Sequence, residues 1–181
     1  MEMHKLSRSS KVCCQEGIKH QVFEGFFLIV QSDHSHTNSI PCFCIEGVIS
    51  YIGFCDDFGP MSLGSIFEFC KLLDEYLIEN QGQQFALLSS GDQRTLTNAV
   101  FLLGAYMIMD RGSNPEEIHQ CFEPLKKIVL AYRDVSPGEP NFALHLKDCW
   151  AGLWRAKSLG WANFGPGGFD PAEYEIGRAH V

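Results

Sequence analysis

The chain has 181 residues and a formal charge of −8, with 45% hydrophobic and 12% aromatic content, which suffices for one domain with a real core. The acidic balance disfavours nucleic acid and anionic lipid as partners and favours basic ligands, with basic peptide the natural candidate. No apolar run reaches the length of a membrane span and residues 1–10 lack the apolar core of a secretory signal, so no membrane partner and an intracellular location are expected.

Residues 1–21 mix charge, Ser and paired Cys without periodicity and are expected to be a flexible tail. Residues 22–30 carry Phe23, Phe26, Phe27, Leu28, Ile29 and Val30, a compact run that predicts one buried strand. A polar loop follows over 31–39; its His34 and His36 fit a loop better than a metal site. Phe43, Ile45, Val48, Ile49, Tyr51 and Ile52 flank Glu46-Gly47, which predicts a hairpin or meander. After the loop Asp56-Asp57-Phe58-Gly59-Pro60, Ser62 is placed to cap a helix. Its apolar face is Ile66, Phe67, Cys70, Leu73 and Leu77, and it runs to about Glu79.

Residues 85–88 form a short buried strand. The stretch Ser89-Ser90-Gly91-Asp92-Gln93-Arg94-Thr95 then opens a second helix with Ala99, Leu102, Leu103 and Tyr106 on its apolar side. Gly112-Ser113 ends that helix. Asn114-Pro115-Glu116-Glu117 begins a third with a cap, a proline in the first turn and a carboxylate at the third position. Residues 128–132 are apolar enough for a further strand, and 136–140 are a loop. Asn141 is placed to cap a fourth helix bearing Leu146, Cys149, Trp150, Leu153 and Ala156 and ending near Gly160. Gly165-Pro166-Gly167-Gly168 reads as a flexible connector, and Asp170-Pro171-Ala172-Glu173 starts another helix. Glu175 and the six residues after it match the translation of a common sequencing adapter, so 176–181 are expected to be a non-native end.

Eight cysteines are present (Cys13, Cys14, Cys42, Cys44, Cys55, Cys70, Cys121 and Cys149), none in the Cys-x-x-Cys pairs of a zinc site. Reduced, mostly buried thiols are expected, and no metal or cofactor.

Backbone N–H groups in a loop feeding a helix bind anions, and an arginine in the first helical turn can grip two phosphate oxygens. The segment Leu87-Leu88-Ser89-Ser90-Gly91-Asp92-Gln93-Arg94-Thr95 resembles, from Gly91 onward, the His-Cys-x-x-Gly-x-x-Arg-(Ser or Thr) loop of cysteine-dependent protein phosphatases. Leu88 and Leu87 stand where that loop has its Cys and His, so no thiolate is available to attack phosphorus. Ser89 and Ser90 lie close by but have no neighbouring base in the loop, and Cys149 falls on a core-facing helix position. Asp134 could act as a general acid but has no thiolate to assist. Its structural role, holding Arg133 or loop backbone, weighs more. For Arg94, two readings stay open: a phosphate or sulfate ligand, or a tie to a nearby carboxylate such as Asp92.

Other motifs accompany the loop: Asp57-Phe58-Gly59-Pro60, the run from Asn98 to Tyr106, Tyr132-Arg133-Asp134, Leu146-Lys147-Asp148-Cys149 and Glu173-Tyr174-Glu175. Together and in this order they resemble the N-terminal domain of the cell-division-cycle fourteen family of dual-specificity phosphatases, over residues 42–175. The resemblance implies an α/β fold, a degenerate phosphatase-like domain with a central mixed sheet flanked by helices. It implies a non-catalytic domain over 22–164, an inter-domain linker helix beginning over 165–175, and a missing C-terminal catalytic domain. The intact protein would then be an enzyme that dephosphorylates phosphoserine-proline and phosphotyrosine sites in cell-cycle proteins, whereas this fragment alone would be inactive. Its partners would be phosphorylated proteins with basic residues after Ser-Pro, which Glu173 and Glu175 would bind as substrate-binding carboxylates, although solvated helix-start charges are an equally good reading of both. Leu88, Gly91, Arg94 and Thr95 would form the degenerate phosphate loop. By the same resemblance the location would be nucleus and cytoplasm, including nucleolus, centrosome or spindle. The alternative is a stand-alone pseudophosphatase acting as a phosphopeptide-binding or scaffold domain.

Overall fold

Phe26, Leu28, Phe85 and Leu87 are buried on one face of a sheet, while Ile29 and Ala86 are buried on the other. Strands apolar on both faces belong in the middle of a sheet, and that is where they lie in this computed structural model, which describes residues 11–12, 17–31, 40–53, 56–135, 138 and 142–179. The strands are β1 (Lys11–Val12), β2 (Ile18–Phe23), β3 (Phe26–Gln31), β4 (Pro41–Cys44) and β5 (Phe85–Ser90), in the order β1-β4-β5-β3-β2. β5 runs parallel to both β3 and β4, whereas β1 and β2 are antiparallel to their neighbours. The expected mixed α/β sheet is therefore present.

The helices are α1 (Leu63–Glu79), α2 (Gln93–Met109), α3 (Pro115–Phe122), α4 (Leu146–Ser158) and α5 (Pro171–Ala179). α2 is the central one. Every residue from Leu96 to Ile108 is buried, because the helix packs on β5 and against α1, α3 and α4. At Gly104 a Cβ would come within 2.4 Å of the Trp150 indole of α4. Trp150 donates its ring N–H to the carbonyl of Phe101 at 3.2 Å, which fixes α4 across α2.

The caps predicted at Ser62, Asn114 and Asp170 are observed. Ser62 accepts from the Ser65 N–H at 3.1 Å, and Asn114 forms a reciprocal box with Glu117 at the start of α3. Asp170 accepts from Ala172 and Glu173 at 2.8 and 3.2 Å in the first turn of α5. Gly160, with φ +75°, follows the end of α4.

Five sequence expectations are corrected. The tail expected over 1–21 is interrupted by β1 and gives way to β2 at Ile18; residues 1–10 and 13–16 lie outside the described residues, as does the loop 32–39 with His34 and His36. The single strand expected over 22–30 is a hairpin, because Gly25 (φ +76°) turns the chain after Phe23 and Phe23 pairs with Phe26. No hairpin forms around Glu46-Gly47: Val48 and Ile49 donate back to the Ile45 carbonyl at 3.0 Å, and Ile45 and Ile49 turn into the core. Residues 128–132 are not a strand. Leu130 gives its N–H to the Thr97 hydroxyl (2.9 Å) and Tyr132 its hydroxyl to Asn98 (3.1 Å), so α2 holds this segment with side chains. Asn141 is outside the described residues, and α4 starts only at Leu146. There the His145 N–H donates to Asp148 at 3.1 Å.

The Gly165-Pro166-Gly167-Gly168 connector is a tight turn. Gly168 donates to the Gly165 carbonyl at 3.0 Å and Phe169 to the Asn163 carbonyl at 2.7 Å. Phe164, Phe169 and Phe67 of α1 form an aromatic cluster with centroids 5.1 to 5.5 Å apart. Among the described residues, Cys70, Cys121 and Cys149 are free thiols.

Candidate functional site

β5 delivers the chain into the loop with Ser89 buried and Ser90 and Gly91 exposed. The loop closes when Asp92 caps α2: its carboxylate accepts from the Thr95 N–H and the Thr95 hydroxyl, both at 2.8 Å. These two bonds, helped by the nearby Arg94 charge, hold the Asp92 carboxyl below the usual carboxylate range. The Ser90 N–H, another donor that could face an anion, is taken by Glu46 at 3.0 Å, whose second oxygen accepts from the Cys44 thiol. The Ser90 and Thr95 donors of this loop are thus taken by the chain's own carboxylates.

Arg94 and Thr95 line a cavity of about 370 Å³ beside this loop, together with Glu46, Tyr51, Asp57 and Phe58. Leu88 does not face it. Its side chain packs with Ile29, Cys42 and Ala86 on the opposite face of the sheet. The guanidinium of Arg94 meets Asp56 at 2.9 Å rather than Asp92, so the tie to a carboxylate exists but through a residue 38 positions earlier. Arg133 reaches the other oxygen of Asp56 at 3.4 Å and donates to the Gly138 carbonyl at 3.3 Å. Asp57 accepts from the Tyr51 hydroxyl.

Among the described residues, no group here is poised as a nucleophile. The Ser89 hydroxyl donates to the Ser90 carbonyl at 3.3 Å, an arrangement without a base. Burial, with the adjacent Asp148 charge, pushes the Cys149 thiol up to about 11, so it is protonated at neutral pH. Burial likewise pushes the Cys70 and Cys121 thiols up. Among the described residues no cluster of three or more His, Cys, Asp or Glu could hold a metal ion, and no helix is long and apolar enough to cross a membrane.

A second cavity, about 520 Å³, opens at the start of α5 between α1 and the turn after α4. Asp170, Glu173, Tyr174, Phe169 and the largely exposed Trp161 line it. It shares no lining residue with the first cavity. Glu173 faces this space, whereas Glu175 lies against α1, its carboxylate 3.3 Å from where a side chain on Gly64 would begin. Residues two apart on a helix do not share a face, so the two glutamates expected to act together are separated.

Sequence reasoning missed Asp56, Glu46 and the part played by Arg133. Asp56 lies within a loop that was noted for other reasons, and nothing in the sequence marks which residue of an irregular loop will face an arginine far along the chain.

At the end of β5, Leu88 stands where the resembled phosphatase loop carries its cysteine. The family profile described as dual specificity protein phosphatase, N-terminal half, matches residues 18–156, and the chain belongs to that family. It is 29% identical over 151 residues to the dual specificity protein phosphatase CDC14C of Homo sapiens, covering 82% of this chain and 33% of that protein. It is 30% identical over 150 residues to the tyrosine-protein phosphatase CDC14 of Saccharomyces cerevisiae, covering 80% of this chain and 26% of that protein. With CDC14C of Symphalangus syndactylus it shares 30% identity over 149 residues, 81% of this chain and 30% of the relative. The chain therefore spans a third or less of the length of these curated relatives.

Proposed function

We propose that this domain is the non-catalytic, substrate-selecting half of a dual-specificity protein phosphatase acting on phosphoserine-proline and phosphotyrosine sites. A catalytic half would supply the thiolate, and this half would contribute one wall of the substrate cleft. The observation that carries the reading is the cavity at α5, where the Glu173 carboxylate and the aromatic side chains of Trp161, Phe169 and Tyr174 surround one space. Such a space suits a Lys or Arg side chain: a carboxylate pairs with the charge and aromatic faces attract it. Asp170 is engaged as the cap of α5, which leaves Glu173 as the selecting group.

The test joins this chain to the catalytic half of a relative and compares substrates. Glu173→Gln is expected to lower kcat/KM for phosphopeptides with a basic residue after Ser-Pro by about tenfold, with little effect on a small aryl phosphate. Glu175→Gln is expected to do less, because that side chain lies against α1. Equal loss on both substrates would assign Glu173 to folding or domain packing instead.

The second reading is a stand-alone phosphopeptide-binding domain. The convergence of Arg94 and Arg133 on one carboxylate favours it.

A further inference from the structure

The irregular loop before α1 brings together two arginines far apart in sequence. Arg94 donates to one oxygen of Asp56 at 2.9 Å, and Arg133 lies 3.4 Å from the other. Phe58 supports both. Its ring is buried beneath Arg94, 5.6 Å from the guanidinium carbon, and its backbone exchanges hydrogen bonds with Arg133 at 3.0 and 2.7 Å. The carboxylate is the least enclosed member, with its side chain 68% exposed against 44% for Arg94 and 35% for Arg133.

We propose that Arg94 and Arg133 form a clamp for a phosphate monoester carried on a peptide, and that Asp56 occupies the clamp as a resident substitute in the free domain. A phosphoryl group presents two oxygens much as a carboxylate does, with more charge, and guanidinium forks pair with it in the same bidentate way. An exposed ion pair contributes little to stability, so Asp56 yields at small cost. Glu46 and Asp57 in the adjoining cavity oppose an anion, but each is already engaged, Glu46 by the Ser90 N–H and the Cys44 thiol and Asp57 by the Tyr51 hydroxyl. The cavity on the Arg94 side gives the body of an ester room that inorganic phosphate does not use. This clamp shares no residue with the Glu173 cavity, so its test stands or falls separately from the substrate-selecting reading.

The experiment is titration calorimetry of the 181-residue chain at low salt with a phosphoserine peptide, its unphosphorylated form and inorganic phosphate. Asp56→Asn is expected to tighten phosphopeptide binding by about tenfold or more, since it removes a competing charge. Adding Arg94→Gln or Arg133→Gln should abolish that gain, with Arg133→Lys used where Gln unfolds the chain. The unphosphorylated peptide should not bind, and inorganic phosphate should bind more weakly than the phosphopeptide. Equal affinity for inorganic phosphate and phosphopeptide would overturn the peptide as source and assign the clamp to the free anion. No gain in Asp56→Asn, or a gain that survives both arginine substitutions, would overturn the clamp itself.

Discussion

Leu88 and Asp92 show how far single side chains decide what this loop can do. Leu88 offers no lone pair and faces away from the loop cavity, packed with Ile29 and Ala86. Asp92 has become a structural anion, committed to Thr95. Because its carboxyl is held below the ordinary range, it adds stability above the unfolded value of about 4, and that contribution is lost as pH falls through the lower folded value. Thermal unfolding from pH 7 to pH 3 should therefore show Asp92→Asn less stable than the natural chain at neutral pH, with the gap narrowing toward pH 3. A gap independent of pH would mean that the charge on Asp92 contributes nothing beyond its hydrogen bonds. The legibility of the loop was partial at this scale. Gly91, Arg94 and Thr95 mark the motif because their spacing is local. Glu46 and Asp56, which fill it, come from segments 44 and 38 residues earlier and leave no local trace.

Among the helices, α2 buries the most residues. Gly104→Ala should destabilise the domain by about 1–3 kcal/mol, because overpacking against Trp150 outweighs the better helix propensity of Ala; a variant as stable as the natural chain in denaturant titration would show that α4 can shift away freely. Thr97→Val should cost about 1–3 kcal/mol, since it strands the buried-side N–H of Leu130 without its acceptor. The helices were legible because caps, prolines and apolar spacing are local signals: Ser62, Asn114 and Asp170 each begin a helix as expected. The misread strands share another cause. Residues 45–52 and 128–132 are apolar without a helical period, which fits a strand, but each finds hydrogen-bond partners within a turn or on α2 instead. In the hairpin of β2 and β3 the apolar run hid Gly25, whose positive φ makes the turn.

Taken as a whole, the molecule is an acidic domain of the dual-specificity phosphatase N-terminal family, built on a mixed sheet, with Leu88 rather than a cysteine at the end of β5. The order of motifs along the chain made that family legible from the sequence. The division of the two glutamates was not, because it depends on how α5 lies against α1. The proposed function is binding without catalysis by this domain. The most direct measurement is turnover of a small aryl phosphate and of a phosphoserine-proline peptide by the 181-residue chain alone. The account predicts no turnover above buffer on either substrate. Turnover that disappears in Ser89→Ala, Ser90→Ala or Cys149→Ala would contradict it, by showing that one of these side chains acts as a nucleophile.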